Sequence, residues 1–194
     1  MLLPGEDFDF FNPYSKVEMK ESNLPHWTQP RVLYFVTFRL ADSLPKQKLD
    51  QWRIELKNWL SKNPMPWNES QANTYQKEFA NHIEHWLDAG HGSCLLANET
   101  NRQIVEDCIL KFNGERYALD AYTVAVNHVH ALVVPFFGQP LSSILKGWKG
   151  VSARRIHQAG NTKASIWQKE SYDHIVRNQV SLDRIRAYIR NHKK

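Results

Sequence analysis

The sequence predicts an α+β fold, a ferredoxin-like antiparallel sheet covered by helices, with a helical insertion after the first strand. Three observations lead there. Runs rich in β-branched and aromatic residues, "RVLYFVTFRL" at 31–40 and "RYALDAYTVAV" at 116–126, read as strands. Several segments between and after them repeat apolar residues at helical spacing. The order strand, helices, strand, strand, helix, extended piece, helix is the pattern of a split βαβ unit. At 194 residues the chain suits one domain with decorations. Residues 1–30 read as an irregular N-terminal arm, because Pro4, Pro13, Pro25 and Pro30 punctuate it. Residues 31–194 read as a single domain in which 41–98 is the helical insertion.

Each element has a local reason. The strand at 31–40 ends at "ADSLP", where Ser43 can cap a helix and Pro45 fits its first turn. Leu49, Trp52, Leu56, Trp59 and Leu60 then recur on one helical face until "NPMP" stops the run. A second helical stretch follows over about 69–87, and "GHGSCLL" reads as a short extended piece. Over 99–112, Ile104, Cys108 and Phe112 stand four apart, as on a helix packed against a sheet. The strand at 116–126 and a second strand starting almost at once after Asn127 predict a hairpin. Residues 140–158 read as a helix with Ser142 or Ser143 near its start, and "ASIWQKESYDHIVRN" as a mixed extended segment. Ser181 can cap a last helix whose stripe is Leu182, Ile185 and Ile189.

Composition narrows the function. The hydrophobic content of 42% and aromatic content of 12% are too high for a disordered chain. The acidic start "MLLPGEDFDF" is unlike a signal peptide, and "VLYFVTF" is far too short to span a bilayer. The expected location is cytoplasmic, associated with the nucleoid, with no membrane partner. Cys94 and Cys108 have no metal-type spacing and read as small buried apolar residues. Residues 1–140 hold 13 Lys+Arg against 17 Asp+Glu, a net −4, whereas 141–194 hold 12 against 3, a net +9. A basic block this lopsided points to a polyanion, nucleic acid first, although a solvated lysine-rich surface has the same composition.

Two places carry candidate chemistry. In "NHVHALVVP", 127–135, His128 and His130 lie on the same face of a strand, close enough for both rings to hold one cation. Two ligands do not complete a site, and hydrogen-bonded histidines near a strand end share that spacing. His82 and His85 form a second pair that reads as surface. On the last helix, Tyr188 and His192 stand four apart, hence on one side, at the margin of the apolar stripe. Tyr188 also fits an amphipathic residue at the sheet rim.

Together these residues resemble a family. The His-x-His strand followed by a tyrosine on the final helix is similar to single-tyrosine HUH transposases, and more closely to REP-associated tyrosine transposases. The likeness spans roughly residues 25–192: "YFVTFRLADSLP", "HGSCLL", "NHVHALVVP", "SSILKGWKGVSARRIHQ", "IWQKESYDHIVR" and "AYIRNH". It implies that 31–194 is an HUH transposase-like catalytic domain, that His128 and His130 are metal ligands and that Tyr188 is the nucleophile. The family's third ligand, commonly Gln or Asn, falls on His192, with Asn191 as the fallback. The implied cofactor is a divalent ion, magnesium or manganese, with zinc also suited to a third imidazole. Where relatives carry Met-Pro before the Asn-His, this chain has Ala125 and Val126, and where they carry a further tail it has Lys193 and Lys194.

The implied activity is metal-dependent transesterification of single-stranded DNA, nicking and rejoining at REP-type hairpins through a 5′-phosphotyrosine. Lys146, Lys149, Arg154 and Arg155 suit phosphate tracking along one helix, Lys169 and Arg177 can add to it, and Trp148 offers a base-stacking plane or a core residue. The expected partner is hairpin or single-stranded DNA, met as a monomer or homodimer. Two other readings compete: a hairpin DNA-binding protein without catalysis, and a metal-dependent phosphodiesterase that uses water.

Overall fold

A computed structural model describes residues 8–12, 14, 15, 18–20, 26–64, 67–160 and 164–192. The first residues of the arm, and Lys193 and Lys194, lie outside the described residues. In chain order the elements are β1 (Glu18–Lys20), β2 (His26–Thr28), β3 (Tyr34–Arg39), α1 (Lys46–Lys62), α2 (Glu69–Tyr75), α3 (Asn81–Asp88), α4 (Glu99–Leu110), β4 (Tyr117–Val124), β5 (His128–Pro135), α5 (Leu141–Ala159), β6 (Tyr172–Ile175) and α6 (Gln179–Asn191). The chain divides into two compact units: Met1–Ala41 with Leu95–Lys194, and Asp42–Cys94.

In the first unit β3, β4, β5 and β6 form one sheet in the order β4-β5-β3-β6, every pair antiparallel. α4 leads into β4 and α5 into β6, so the sequence order strand, helix, strand, strand, helix, strand gives a split βαβ sheet. β3 and β5 are buried on both faces, which is why they read as continuous apolar runs instead of alternating ones. One face carries Tyr34, Val36, Phe38, Val129, Ala131 and Val133 against α4 and α5. The other carries Leu33, Phe35, Leu132 and Val134 against Leu182 and Ile189 of α6. α6 crosses β4 and β5 on this second face.

The register explains which side chains that face offers. Thr37, His130 and Thr123 lie opposite one another across β3, β5 and β4. The β4–β5 ladder slips between Leu119, opposite Val133, and Ala121, opposite Leu132, so Asp120 is an extra residue in a bulge.

Several local expectations fail for identifiable reasons. "GHGSCLL" is not extended, because Gly92 and Cys94 take positive φ values of 92° and 49°, outside strand geometry, and a 3-10 turn follows at Leu95–Ala97. A Cβ on Gly92 would come within 2.5 Å of the Asp42 carbonyl oxygen, so no larger residue fits there. The last helix begins three residues earlier than Ser181 suggests: Asn178 is its cap, and the Asn178 side chain accepts from the Ser181 N–H at 2.9 Å. Pro45 and Pro140 precede α1 and α5, neither with a side-chain cap, so Ser43 does not serve as a cap, while Ser142 and Ser143 do lie in the first turn of α5. Within 1–30, β1 and β2 pair where only irregular chain was expected, and Asp9 bridges Val32 beside β3.

The second unit is helical. A π-helical turn, Gln76–Ala80, joins α2 to α3 where one continuous helix was expected. Trp52, Trp59, Trp67, Tyr75 and Phe79 form its aromatic centre, with ring centroids 4.8 to 6.4 Å apart.

Candidate active site

The site grows from the start of β5. His128 and His130 project from one face of the strand toward α6 and are 1% and 0% exposed. Each ring is tied by its inner nitrogen. His128 Nδ1 lies 2.7 Å from Asn127 Oδ1, and His130 Nδ1 lies 2.8 Å from Thr37 Oγ1 across the β3–β5 ladder. An amide oxygen can only accept, so His128 carries its proton on Nδ1 and presents the Nε2 lone pair. The two Nε2 atoms then meet at 2.9 Å.

Burial holds the rings in the form a ligand requires. Desolvation pushes the His128 pKa down to about 3, helped by charge on His192, and puts His130 well below its ordinary value, with His128 and His192 adding to the effect. Both are neutral at pH 7. Phe35 stacks on the His130 ring at 5.3 Å and 19°, keeping water from that side.

α6 brings the remaining groups. Tyr188 is partly buried against the same apolar cluster, and its Oη lies 3.2 Å from His130 Nε2. His192 caps the C-terminal end of the helix, with its ring centred 4.9 Å from His128, 5.1 Å from His130 and 5.2 Å from Tyr188. Ligand nitrogens of His128, His130 and His192 all lie within 4.8 Å of one another. This donor set suits a divalent transition ion: neutral imidazoles converge, and the two strand histidines are oriented through their far nitrogens. Thr123 Oγ1, in the same cross-strand row as His130, is buried with no hydrogen-bond partner among the described residues, and so has bonding capacity to spare for a polar guest.

The structure thus brings His128, His130, Tyr188 and His192 together and leaves Asn191 exposed. It separates the expected DNA-binding residues into three groups. Lys146, Arg154, Lys169 and Arg177 are exposed. Arg155 is half-exposed and paired with Asp107 at 3.1 Å. Trp148 and Lys149 are turned inward, which gives Trp148 the core place of its two readings instead of the base-stacking one and corrects the reading of Lys149 as a residue tracking phosphates. Trp148 is 3% exposed on the face shared with Ile144, Leu145, Ser152 and Ile156, and its indole N–H donates to Tyr117 Oη at 2.8 Å. Lys149 Nζ donates to the Lys169 carbonyl at 2.7 Å and to Ser171 Oγ at 3.2 Å, which ties α5 to the segment before β6. Its burial lowers its pKa to about 8, against the pull of Glu170.

Residues 95–192, half of the chain, match the family described as IS200-like transposases. The match runs from the turn before α4 to His192 and contains both histidines of β5 and the tyrosine of α6. The chain belongs to this family. It is therefore a transposase, a DNA-cutting enzyme. No curated protein matches it in sequence. Among solved structures, a REP-associated tyrosine transposase bound to a REP hairpin superposes with a TM-score of 0.50 at 18% identity, covering 87% of this chain and 70% of that one. The α+β sheet with its covering helices is thus the transposase fold. A candidate transposase from Deinococcus radiodurans R1 gives 0.34 at 13% identity over 95% of this chain and 98% of that one, too low to weigh on the fold. No helix among the described residues is long and apolar enough to cross a membrane.

Sequence reasoning missed two orienting residues. Asn127 stood in plain view beside His128, whereas Thr37 is 93 residues from His130 and only the strand register pairs them.

Proposed function

We propose that this transposase nicks and rejoins single-stranded DNA through a 5′-phosphotyrosine on Tyr188, at hairpins like the one bound by the REP-associated relative. The observation that carries the reading is the approach of Tyr188 Oη to His130 Nε2, 3.2 Å, within a cluster of three histidines. A nucleophile and a Lewis-acid site must converge on one phosphate for this chemistry, and the nearness of Tyr188 to the histidine cluster within one chain supports that reading. That supports action without a residue from a second copy.

His128, His130 and His192 would hold a divalent ion, whose bound charge polarises the scissile phosphate and eases ionisation of the phenol. Magnesium, manganese and zinc are the candidates, and the all-nitrogen donor set favours the last two. The chain's own residues do the rest. Asn127 and Thr37 fix the two strand rings, so their Nε2 atoms are aimed before substrate arrives. Tyr188 Oη attacks phosphorus: a bond forms between Oη and the 5′ phosphate, the bond to the 3′ oxygen breaks, the phenolic proton passes to solvent, and the released oxygen takes up a proton. No water enters the product, so the phosphotyrosine retains the bond energy for rejoining when a free 3′ hydroxyl attacks in reverse. Lys146, Arg154, Lys169 and Arg177, all exposed, supply cations for the DNA backbone.

The test is cleavage of hairpin oligonucleotides bearing a short single-stranded flank, with magnesium, manganese or zinc. A covalent protein–DNA band present in the wild type and absent in Tyr188→Phe is the expected result. Binding without any adduct would favour a hairpin-binding protein, and turnover that survives Tyr188→Phe would favour a water-using phosphodiesterase.

A further inference from the structure

α6 carries Tyr188 and ends at His192, while the sheet beneath carries His128 and His130, so the site exists only if the helix sits at the right height and roll. Two kinds of contact hold it. Leu182 and Ile189 are 1% and 3% exposed in the apolar cluster with Leu33, Phe35, Ala118, Leu132, Val134 and Val176. Such burial is non-directional and tolerates a small slide or rotation. The other contact is directional. Arg186 Nε donates to Asp120 Oδ2 at 2.6 Å and Arg186 Nη2 to Asp120 Oδ1 at 2.7 Å, a two-point planar fork. The Asp120 side chain is 1% exposed and that of Arg186 27%, so water competes little. Asp120 is the extra residue of the β4 bulge, between Leu119 on the α4–α5 face and Ala121 on the α6 face. A bulge re-aims a side chain that regular pairing would point elsewhere, at a cost in ladder hydrogen bonds.

We propose that Arg186 and Asp120 are a positioning pair for the nucleophile helix: their fork sets the height and roll of α6, and so the placement of Tyr188 and His192 against His128 and His130. Arg186 is only two residues before Tyr188, and a guanidinium held at two points cannot slide or turn without losing one of them. Displacement of about 1 Å at a reacting atom is enough to slow a reaction by about a hundredfold. The proposal rests on the phosphotyrosine reading for its effect on rate, and on the histidine cluster alone for its effect on metal binding.

Removing one partner leaves a buried charge and can unfold the protein, whereas replacing a buried ion pair by apolar residues of similar size is often neutral or stabilising. The deciding variant is therefore the double substitution Asp120→Leu with Arg186→Met, compared with Arg186→Lys, which keeps the charge and loses the fork. Three quantities are measured: the melting temperature, the zinc affinity of the protein without DNA, and the single-turnover rate of adduct formation on a saturating hairpin oligonucleotide. The expected result for the double variant is a melting temperature at or above that of the wild type, zinc affinity about tenfold weaker, and adduct formation about a hundredfold slower, with Arg186→Lys intermediate. Zinc affinity and adduct rate both within twofold of wild type would overturn the proposal, as would a double variant that fails to fold, since the pair would then be structural. A wild type that forms no adduct, together with zinc binding weakened tenfold in the double variant, would remove the phosphotyrosine reading and leave the positioning role standing.

Discussion

Thr37 shows how much a single hydroxyl can decide. It faces His130 Nδ1 at 2.8 Å, and Thr37→Val keeps shape and strand propensity while removing that partner. Orienting partners of metal-bound imidazoles typically carry ten- to hundredfold in affinity, so calorimetric titration of Thr37→Val with zinc should show weakening in that range, with a fall in melting temperature matching the loss of one buried hydrogen bond, about 1–3 kcal/mol. His174 offers a pH test away from the histidine cluster. Its ring packs on Phe35 and Tyr172, its Nδ1 is buried without a hydrogen-bond partner among the described residues, and burial, aided by Arg177, lowers its pKa to about 4. The unfolded chain binds this proton near pH 6.5 and the folded chain only near pH 4, so its contribution is complete above pH 6.5 and is lost as pH falls toward 4. His174→Phe should flatten the drop in melting temperature between about pH 6.5 and pH 4.5 relative to wild type; an unchanged slope would show that the imidazole is not the group responsible. At this scale the histidine pair and the tyrosine were legible, because a period of two and a spacing of four fix which side chains share a face. Thr37 and Asp120 were not, because their roles depend on register and on a bulge that no local pattern records.

The basic helix α5 illustrates how an element allots its residues. Stepping by 100° puts Trp148 on the stripe of Ile144, Leu145, Ser152 and Ile156, and the indole is spent on the core, where it donates to Tyr117 Oη. Trp148→Ala should therefore cost about 3–5 kcal/mol of stability, read as a large fall in the denaturant midpoint, and should reduce hairpin binding only in proportion to unfolding. Lys149, on the margin, is drawn in by two hydrogen bonds to the segment before β6. The helix was legible from its period. Which of its polar residues stay in water was not, since that depends on what segment passes beside it. Helix starts failed for a related reason: serine, asparagine and proline all suit an N-terminus, and only the backbone path showed that Asn178, not Ser181, precedes the turn of α6.

Across the molecule, charge is partitioned by position along the chain. Residues 141–194 hold the net +9, and their exposed members include Lys146, Arg154, Lys169 and Arg177. Deleting one cation that neutralises a phosphate should reduce the slope of log affinity against log salt by about 1. Lys146→Ala and Arg154→Ala, measured by hairpin binding between low and moderate salt, should each lower that slope by about this amount while leaving the adduct rate at saturating DNA near wild type. Asp107 already engages Arg155, so Arg155→Ala should change the slope less. The amino-acid order was enough to suggest the kinds of element, their succession, the basic end, and the imidazoles and phenol of the candidate site, because propensity, periodicity and charge are local quantities. Convergence of β5 and α6 on one point required the folded chain: it depends on strand order, on a one-residue slip in β4 and on a fork between residues 66 apart. Those are pairings between distant segments, set by the packing free energy of the whole sheet and its helices, and no stretch of sequence contains them.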